Sequence, residues 1–199
     1  QAKLPAKLGG LGMLSASDVA LPAFLASVFG SAELSLQLLP SSLTQLGGTN
    51  DVVYHLYVDK WQSITMSPTP DGLIAANQNI CSHPLQVIAA EAVLSAAQTQ
   101  ASRARLIAAA APSSGAFLQA IPMSSVGTRL DNSSMRIAVS LRLGVPLCTP
   151  HVCICGAAVD SSGVHGLSCR KSAGRGARHS TINSIVKAAL NSAEIPSRL

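Results

Sequence analysis

Aromatic residues make up only 3% of this 199-residue chain. With so few rings, a core must be built from Ala, Leu, Val and Ile, which favours helices packed closely on small side chains. Charge is scarce as well, at 12% against a usual share of about 25%. A surface this poor in charge is expected to be partly covered by other protein. Acids are rarest at the C-terminal end, where Glu194 is the only one after Cys169. That shortage excludes the clustered carboxylates and lysine of a restriction-like nuclease. No paired aspartates of a polymerase type occur either. Cys169 lies close to His165 in sequence, but only Asp160 is at hand to orient a Cys-His nucleophile, so no enzyme is expected from this chain as it stands. The GGLG run near the N-terminus lacks the pattern of a phosphate loop.

Long apolar runs are missing too. Glu91, Gln98, Arg103 and Arg105 break the longest candidates, so no transmembrane helix and no membrane partner are expected. No signal peptide leads the chain, which begins with Gln1 rather than Met and reads as a fragment. The five cysteines are odd in number and clustered, unlike a secreted disulfide framework. The expected setting is reducing and intracellular, either nuclear or cytoplasmic.

What is present is concentrated between Cys148 and His179. Cys153, Cys155, His165 and Cys169 have the spacing C-x-C-x9-H-x3-C. Three thiolates and one imidazole form a complete tetrahedral set for Zn²⁺, and their softness favours zinc over magnesium or calcium. Gly156, Gly163 and Gly166 lie between the ligands, where tight turns are needed for convergence. The plain alternative is a chance cluster, since C-x-C is less common than C-x2-C in zinc sites. Cys148 or His151 can stand in as a substitute ligand, while Cys81 reads as a buried small hydrophobe.

The net charge of +5 follows the same focus. Residues 1–150 hold eight basic and seven acidic side chains, whereas residues 170–199 hold six basic ones and a single acid. Arg170, Lys171, Arg175, Arg178, His179 and Lys187 are the candidate contacts to RNA or DNA phosphates. A solvated helix face is the ordinary alternative for such a run.

The rest of the chain reads as helices separated by Pro and Gly signals. Residues 1–12 form a loop or flexible lead-in. Ser15 or Ser17 caps a helix to about Phe29, with Asp18 in its first turn and Leu21, Phe24, Leu25 and Val28 as its stripe. A second helix spans 31–46, interrupted by Pro40 and ended by Gly47 and Gly48. A third spans Asp51–Thr65, with Val52, Leu56, Trp61 and Ile64 inward and Tyr54, His55 and Tyr57 at a helix interface. Met66–Asn79 is a loop. Pro84–Ala111 is one long helix stopped by Pro112, and Phe117–Arg129 is irregular. Asp131 or Asn132 caps a helix with Met135, Ile137, Val139 and Leu143 as its stripe, stopped by Gly144 and Pro146. A last helix begins at Arg175 or His179 and runs to about Ala193, with Ile182, Ile185, Val186, Ala189 and Leu190 on its apolar face. The expected fold is mainly α: an irregular helical bundle, then a small CCHC zinc knuckle, then a C-terminal basic helix.

The run CxCG…D…G.HGLSCRKSAGR..RH followed by a helix resembles the CCHC zinc-knuckle segment in retrotransposon reverse-transcriptase polyproteins. It is most similar to non-LTR elements that carry a restriction-like endonuclease. The N-terminal LPAKLGGLGMLSASDVALPAFLASV resembles the segment just after the polymerase thumb of that family. The likeness spans nearly the whole chain, with the knuckle as its specific part. The spacing is slightly longer before the histidine and shorter after it than is usual there. The resemblance implies a helical linker over 1–147, a zinc knuckle over 148–174 and a basic helix over 175–199 leading to a missing nuclease domain. It makes Arg178 and His179 the family's Arg-His pair. It also implies a parent RNA-directed DNA polymerase with an endonuclease, whose other domains would be partners along with RNA or DNA. The competing readings are a zinc-stabilised helical protein-interaction module and a degenerate retroelement relic without activity.

Overall fold

The structure, a computed structural model, describes residues 1–40, 42–43, 52–70, 77–125, 127–172 and 174–196; the side chains of residues 174, 175, 177 and 178 lie outside that description. The chain is mainly helical, and its contacts divide it into two units, Gln1–Asp131 and Asn132–Leu199. That division falls earlier than the expected linker end at residue 147. It places the helix beginning at Asn132 with the Cys/His segment.

In the first unit the N-terminal residues are tied down, not a flexible lead-in. A 3-10 turn at Ala6–Leu8 ends at Gly9, whose φ of 85° suits a residue without a side chain. Leu11 N–H donates to the Ala2 carbonyl at 3.1 Å and Gly12 N–H to the Leu4 carbonyl at 2.8 Å. Gly10 lies directly against the Leu4 backbone, where a Cβ would overlap it. Arg105 Nη1 donates to Gln1 Oε1 at 2.8 Å and fastens the segment to a later helix.

Helix α1 spans Ala16–Leu38. It is one helix where two were expected, because nothing at Gly30 interrupts it and Pro40 lies beyond its end. Ser15 holds the N-cap position, and Asp18 in the first turn pairs with Lys3 at 3.4 Å. By length and composition α1 is apolar enough to cross a membrane, contrary to the expectation of no such segment. Its first half is nevertheless used in packing, with Leu21, Pro22, Leu25 and Ala26 buried. The rest of the expected second helix, from residue 41 apart from residues 42–43, lies outside the described residues.

Helix α2 spans Val52–Thr65 and presents Tyr54, Tyr57, Val58 and Trp61 to the core. These positions follow the i, i+3, i+4, i+7 rule, whereas Val52, Leu56 and Ile64 of the expected stripe are exposed. Tyr57 packs on Phe24 of α1 with centroids 4.4 Å apart, and Tyr54 meets Phe29 edge-on at 5.8 Å. The tyrosines therefore serve the helix interface, as expected.

Helix α3 spans Gln78–Ser95 and α4 spans Gln100–Ala110. The expected single helix over Pro84–Ala111 is thus broken and begins earlier. Asn77 caps α3 and Thr99 caps α4, its side chain accepting from the Ser102 N–H. A cap inside an alanine-rich run stops one helix and starts the next without glycine or proline. The core joins Leu21, Leu25, Tyr54, Trp61 and Cys81. Trp61 is 1% exposed and its Nε1–H donates to the Cys81 carbonyl at 2.9 Å, so its polar atom is satisfied in the interior. Cys81 is fully buried as expected, and burial pushes its thiol up. A short helix, α5, at Ala116–Gln119 lies in the segment expected to be irregular.

The second unit opens with α6, Asn132–Leu143, which ends at Gly144 with φ 70°. The expected stripe holds only in part: Val139 and Leu143 are half-buried and Met135 and Ile137 exposed, while Ser140 and Arg142 are buried. Positions 135, 137 and 139 are two apart, which is a strand period and turns them to different sides of a helix. Strands β1, His151–Val152, and β2, Ala158–Val159, pair antiparallel with His151 opposite Val159. One helical turn follows as α7, His165–Ser168, and then α8, Gly174–Ser192, close to its expected limits. Ile182, Ile185 and Val186 of the expected apolar face of α8 are exposed.

Candidate metal centre

The β1–β2 hairpin and α7 bring two pairs of side chains together. Cys153 N–H donates to the Ala157 carbonyl at 2.9 Å and Gly156 N–H to the Cys153 carbonyl at 2.7 Å. This tight turn holds Cys153 and Cys155 at the hairpin tip. It requires Gly156, whose φ is 87°. His165 opens α7 and Cys169 closes it, four residues on, so both fall on one side of the turn. Cys169 N–H donates to the His165 carbonyl at 2.9 Å and fixes the spacing.

The four ligand atoms converge. Cys153 Sγ lies 3.6 Å from Cys169 Sγ, and Cys155 Sγ lies 3.2 Å from His165 Nε2. All four lie within 4.8 Å of one another, a group that can hold a metal ion. Cys169 is buried and the other three are half-buried.

Electrostatics within the group are uneven. The Ala157 N–H donates to the Cys155 sulfur and, with contacts from Cys153, Cys169 and His165, brings that thiol down to about 6 against the pull of burial. The Lys171 N–H likewise favours the thiolate of Cys169. Burial and the Cys153 and Cys155 sulfurs outweigh it and push the Cys169 thiol up. Sharing one small site, the sulfurs cannot all carry charge without a cation among them.

Cys148 and His151 are engaged elsewhere. Cys148 Sγ donates to the Asp160 carbonyl at 3.3 Å, and His151 Nδ1 lies 2.9 Å from the Thr149 carbonyl. The group that can hold a metal ion is therefore Cys153, Cys155, His165 and Cys169, without substitutes among the described residues. The surrounding loop was not foreseen. Leu147 N–H and Cys148 N–H both donate to the Ser161 carbonyl, at 2.7 and 3.2 Å. Gly163, with φ 65°, leaves room for Leu147, whose Cδ2 would stand 3.1 Å from a Cβ there. Asp160 accepts from the Ser162 N–H at 3.0 Å and shapes the turn before α7. Asp and Ser at this spacing are a readable turn signal.

Of the candidate phosphate contacts, Arg170, Lys171, His179 and Lys187 are exposed. Lys171 Nζ reaches the Ile154 carbonyl at 3.4 Å, at the hairpin tip. Arg175 and Arg178 belong to α8, but their side chains lie outside the described residues. Between the ligands the surface is apolar: Val152, Ile154, Val164 and Leu167 are all exposed, Ile154 to 85%.

Compared with known protein families, characterised proteins and solved structures, the chain matches none.

Proposed function

We propose that this chain is a non-catalytic, nucleic-acid-binding segment of a retrotransposon reverse-transcriptase polyprotein. In this reading Cys153, Cys155, His165 and Cys169 hold zinc in a CCHC knuckle, and the basic residues that follow hold RNA or DNA. One observation carries it: a complete four-ligand group lies directly before the stretch that holds the whole net positive charge. The dimensions of the group are compatible with zinc. Zn–S and Zn–N bonds of about 2.3 and 2.0–2.1 Å at tetrahedral angles set neighbouring ligand atoms about 3.5–3.8 Å apart. The Cys153–Cys169 separation of 3.6 Å falls within that range, the Cys155–His165 separation of 3.2 Å is shorter, and all four atoms lie within 4.8 Å, so small side-chain shifts complete the geometry.

Zinc would be structural here, with its four positions filled by protein and none left for water. Arg170 and Lys171 adjoin the last ligand and would be held by its turn. Arg175 and Arg178 lie three apart on α8 and share a face of it. The deciding experiment measures metal content and salt-dependent binding to RNA and DNA on the same reduced sample. Bound zinc with steeply salt-dependent affinity supports the reading. Zinc without nucleic-acid binding overturns it in favour of a zinc-stabilised protein-interaction module. That alternative draws on the exposed Val152, Ile154, Val164 and Leu167, an apolar surface of the kind that partners cover.

A further inference from the structure

The helical unit contains a cavity of about 460 Å³ between its N-terminal segment, the start of α1, the end of α2 and one face of α3. That volume is in the range of small-molecule sites, about 300–1,000 Å³. Its floor includes Leu21, Leu85 and Val93. Two features separate it from an apolar packing void, which stays dry because only carbon lines it. Ser82 lines the cavity, is only 8% exposed, and its hydroxyl has no hydrogen-bond partner among the described residues. A buried hydroxyl is costly to leave unpaired. Lys60 also lines the cavity, and its ammonium has no acidic partner among the described residues. Lys3 and Asp18 line it too but neutralise each other at 3.4 Å. Of the charged side chains that line the cavity, that of Lys60 is thus left without an acidic partner among the described residues.

A positive charge and a free hydroxyl beside aliphatic side chains match one ligand class. We propose that this cavity binds a small aliphatic carboxylate, its head group held by Lys60 and Ser82 and its hydrocarbon lying on Leu21, Leu85 and Val93. The site is separate from the metal centre and does not depend on it.

The test titrates octanoate and octanol into the full 199-residue chain, followed by calorimetry and by amide chemical shifts. Octanoate should bind saturably, one per chain, and more tightly than octanol. Lys60→Gln should weaken octanoate by about tenfold, the scale of a lost charged hydrogen bond. Ser82→Ala should weaken it too, yet raise the melting temperature of the ligand-free protein by removing an unpaired buried hydroxyl. A purely structural Ser82 would not give that opposite pair of effects. Ala89→Phe, which fills the space, should abolish binding. If that variant does not fold, Lys60→Gln on the exposed side of α2 still decides the matter. Equal affinity for octanol, unchanged binding by Lys60→Gln, or no saturable binding at all would each overturn the proposal.

Discussion

The backbone N–H of Ala157 donates to the sulfur of Cys155, two residues before it, and is the largest of the influences that bring that thiol down to about 6. In the folded hairpin this contact favours the thiolate form of Cys155. An acid whose folded value is depressed contributes stability in full above its ordinary value, here 9.0. The contribution is lost as pH falls through about 6. Metal affinity should decline as pH falls, because protons compete at Cys169, and more steeply below about 6, where they compete at Cys155 as well. Competition with a chelator across a pH series would measure it, and a flat profile would contradict the geometry. Binding at neutral pH should also release a proton from Cys169, whose thiol is held high.

One zinc ion is expected per chain after purification in reducing buffer. Cys169→Ser should abolish its retention because three ligands remain and the fourth is buried. Cys81→Ser should retain the metal, since Cys81 belongs to the helical core. Metal analysis of the two variants provides the comparison. A metal-free parent protein with an unchanged hairpin would rule the ion out.

The segment 152–169 should fold only with metal bound. Of its five larger apolar side chains only Val159 is buried, at 6% exposure, while Val152, Ile154, Val164 and Leu167 face outward. Burial that slight cannot offset an ordering cost of about 1–2 kcal/mol per residue. Ligation must supply the difference. Chelation should speed amide exchange at Cys153–Cys169 and leave α1–α3 around Trp61 protected. Equal exchange with and without chelator would show that the hairpin stands alone.

Nucleic-acid binding should be electrostatic and weakly selective. Affinity should fall with salt at a slope of about 0.7–0.9 per phosphate neutralised. Replacing Arg175 and Arg178 by Ala should flatten that slope by up to about two units and weaken all sequences alike. Anisotropy titrations at several salt concentrations test it. Parental behaviour by the double variant would reduce the basic run to a solvated face.

Leu25 is fully buried within α1, against α2 and α3. Leu25→Ala should destabilise the helical unit by about 2–5 kcal/mol, through lost burial and the cavity left behind. Zinc retention in the other unit should not change. Thermal melts followed by far-UV circular dichroism, paired with metal analysis, would show both.

The ligand group was legible because its members are close in sequence and their chemistry is unusual: Cys153, Cys155, His165 and Cys169 need only a turn and one helical turn to meet. Gly144 and Pro146 likewise marked the end of α6, and Cys81 was recognised as a core residue. Helix boundaries inside alanine- and leucine-rich stretches were harder. Gly30 looked like a break but lies within α1, since one glycine costs only about 1 kcal/mol in a helix. Thr99 looked like an ordinary helical residue but caps α4, a role visible only once Ser102 is seen to donate to it. On α2 the expected stripe holds at Trp61 but not at Val52, Leu56 and Ile64, because α1 and α3 cover the face of Tyr54, Tyr57 and Val58 instead. The cavity beside Ser82 had no local signal, because its walls come from four separate stretches of chain.

The placement of Cys148 gives the five cysteine sulfurs three different chemical fates. Its thiol is half-buried and bound to the Asp160 carbonyl, apart from the metal group, while Cys81 is sealed in the helical core. A gentle alkylating reagent should therefore modify Cys148 alone in the metal-loaded protein. Removing the metal should open Cys153, Cys155 and Cys169 together, since all three lose the ion and the fold of their segment at once. Cys81 should yield only on unfolding. Counting adducts by mass thus reads metal occupancy and global unfolding separately, on one unlabelled sample.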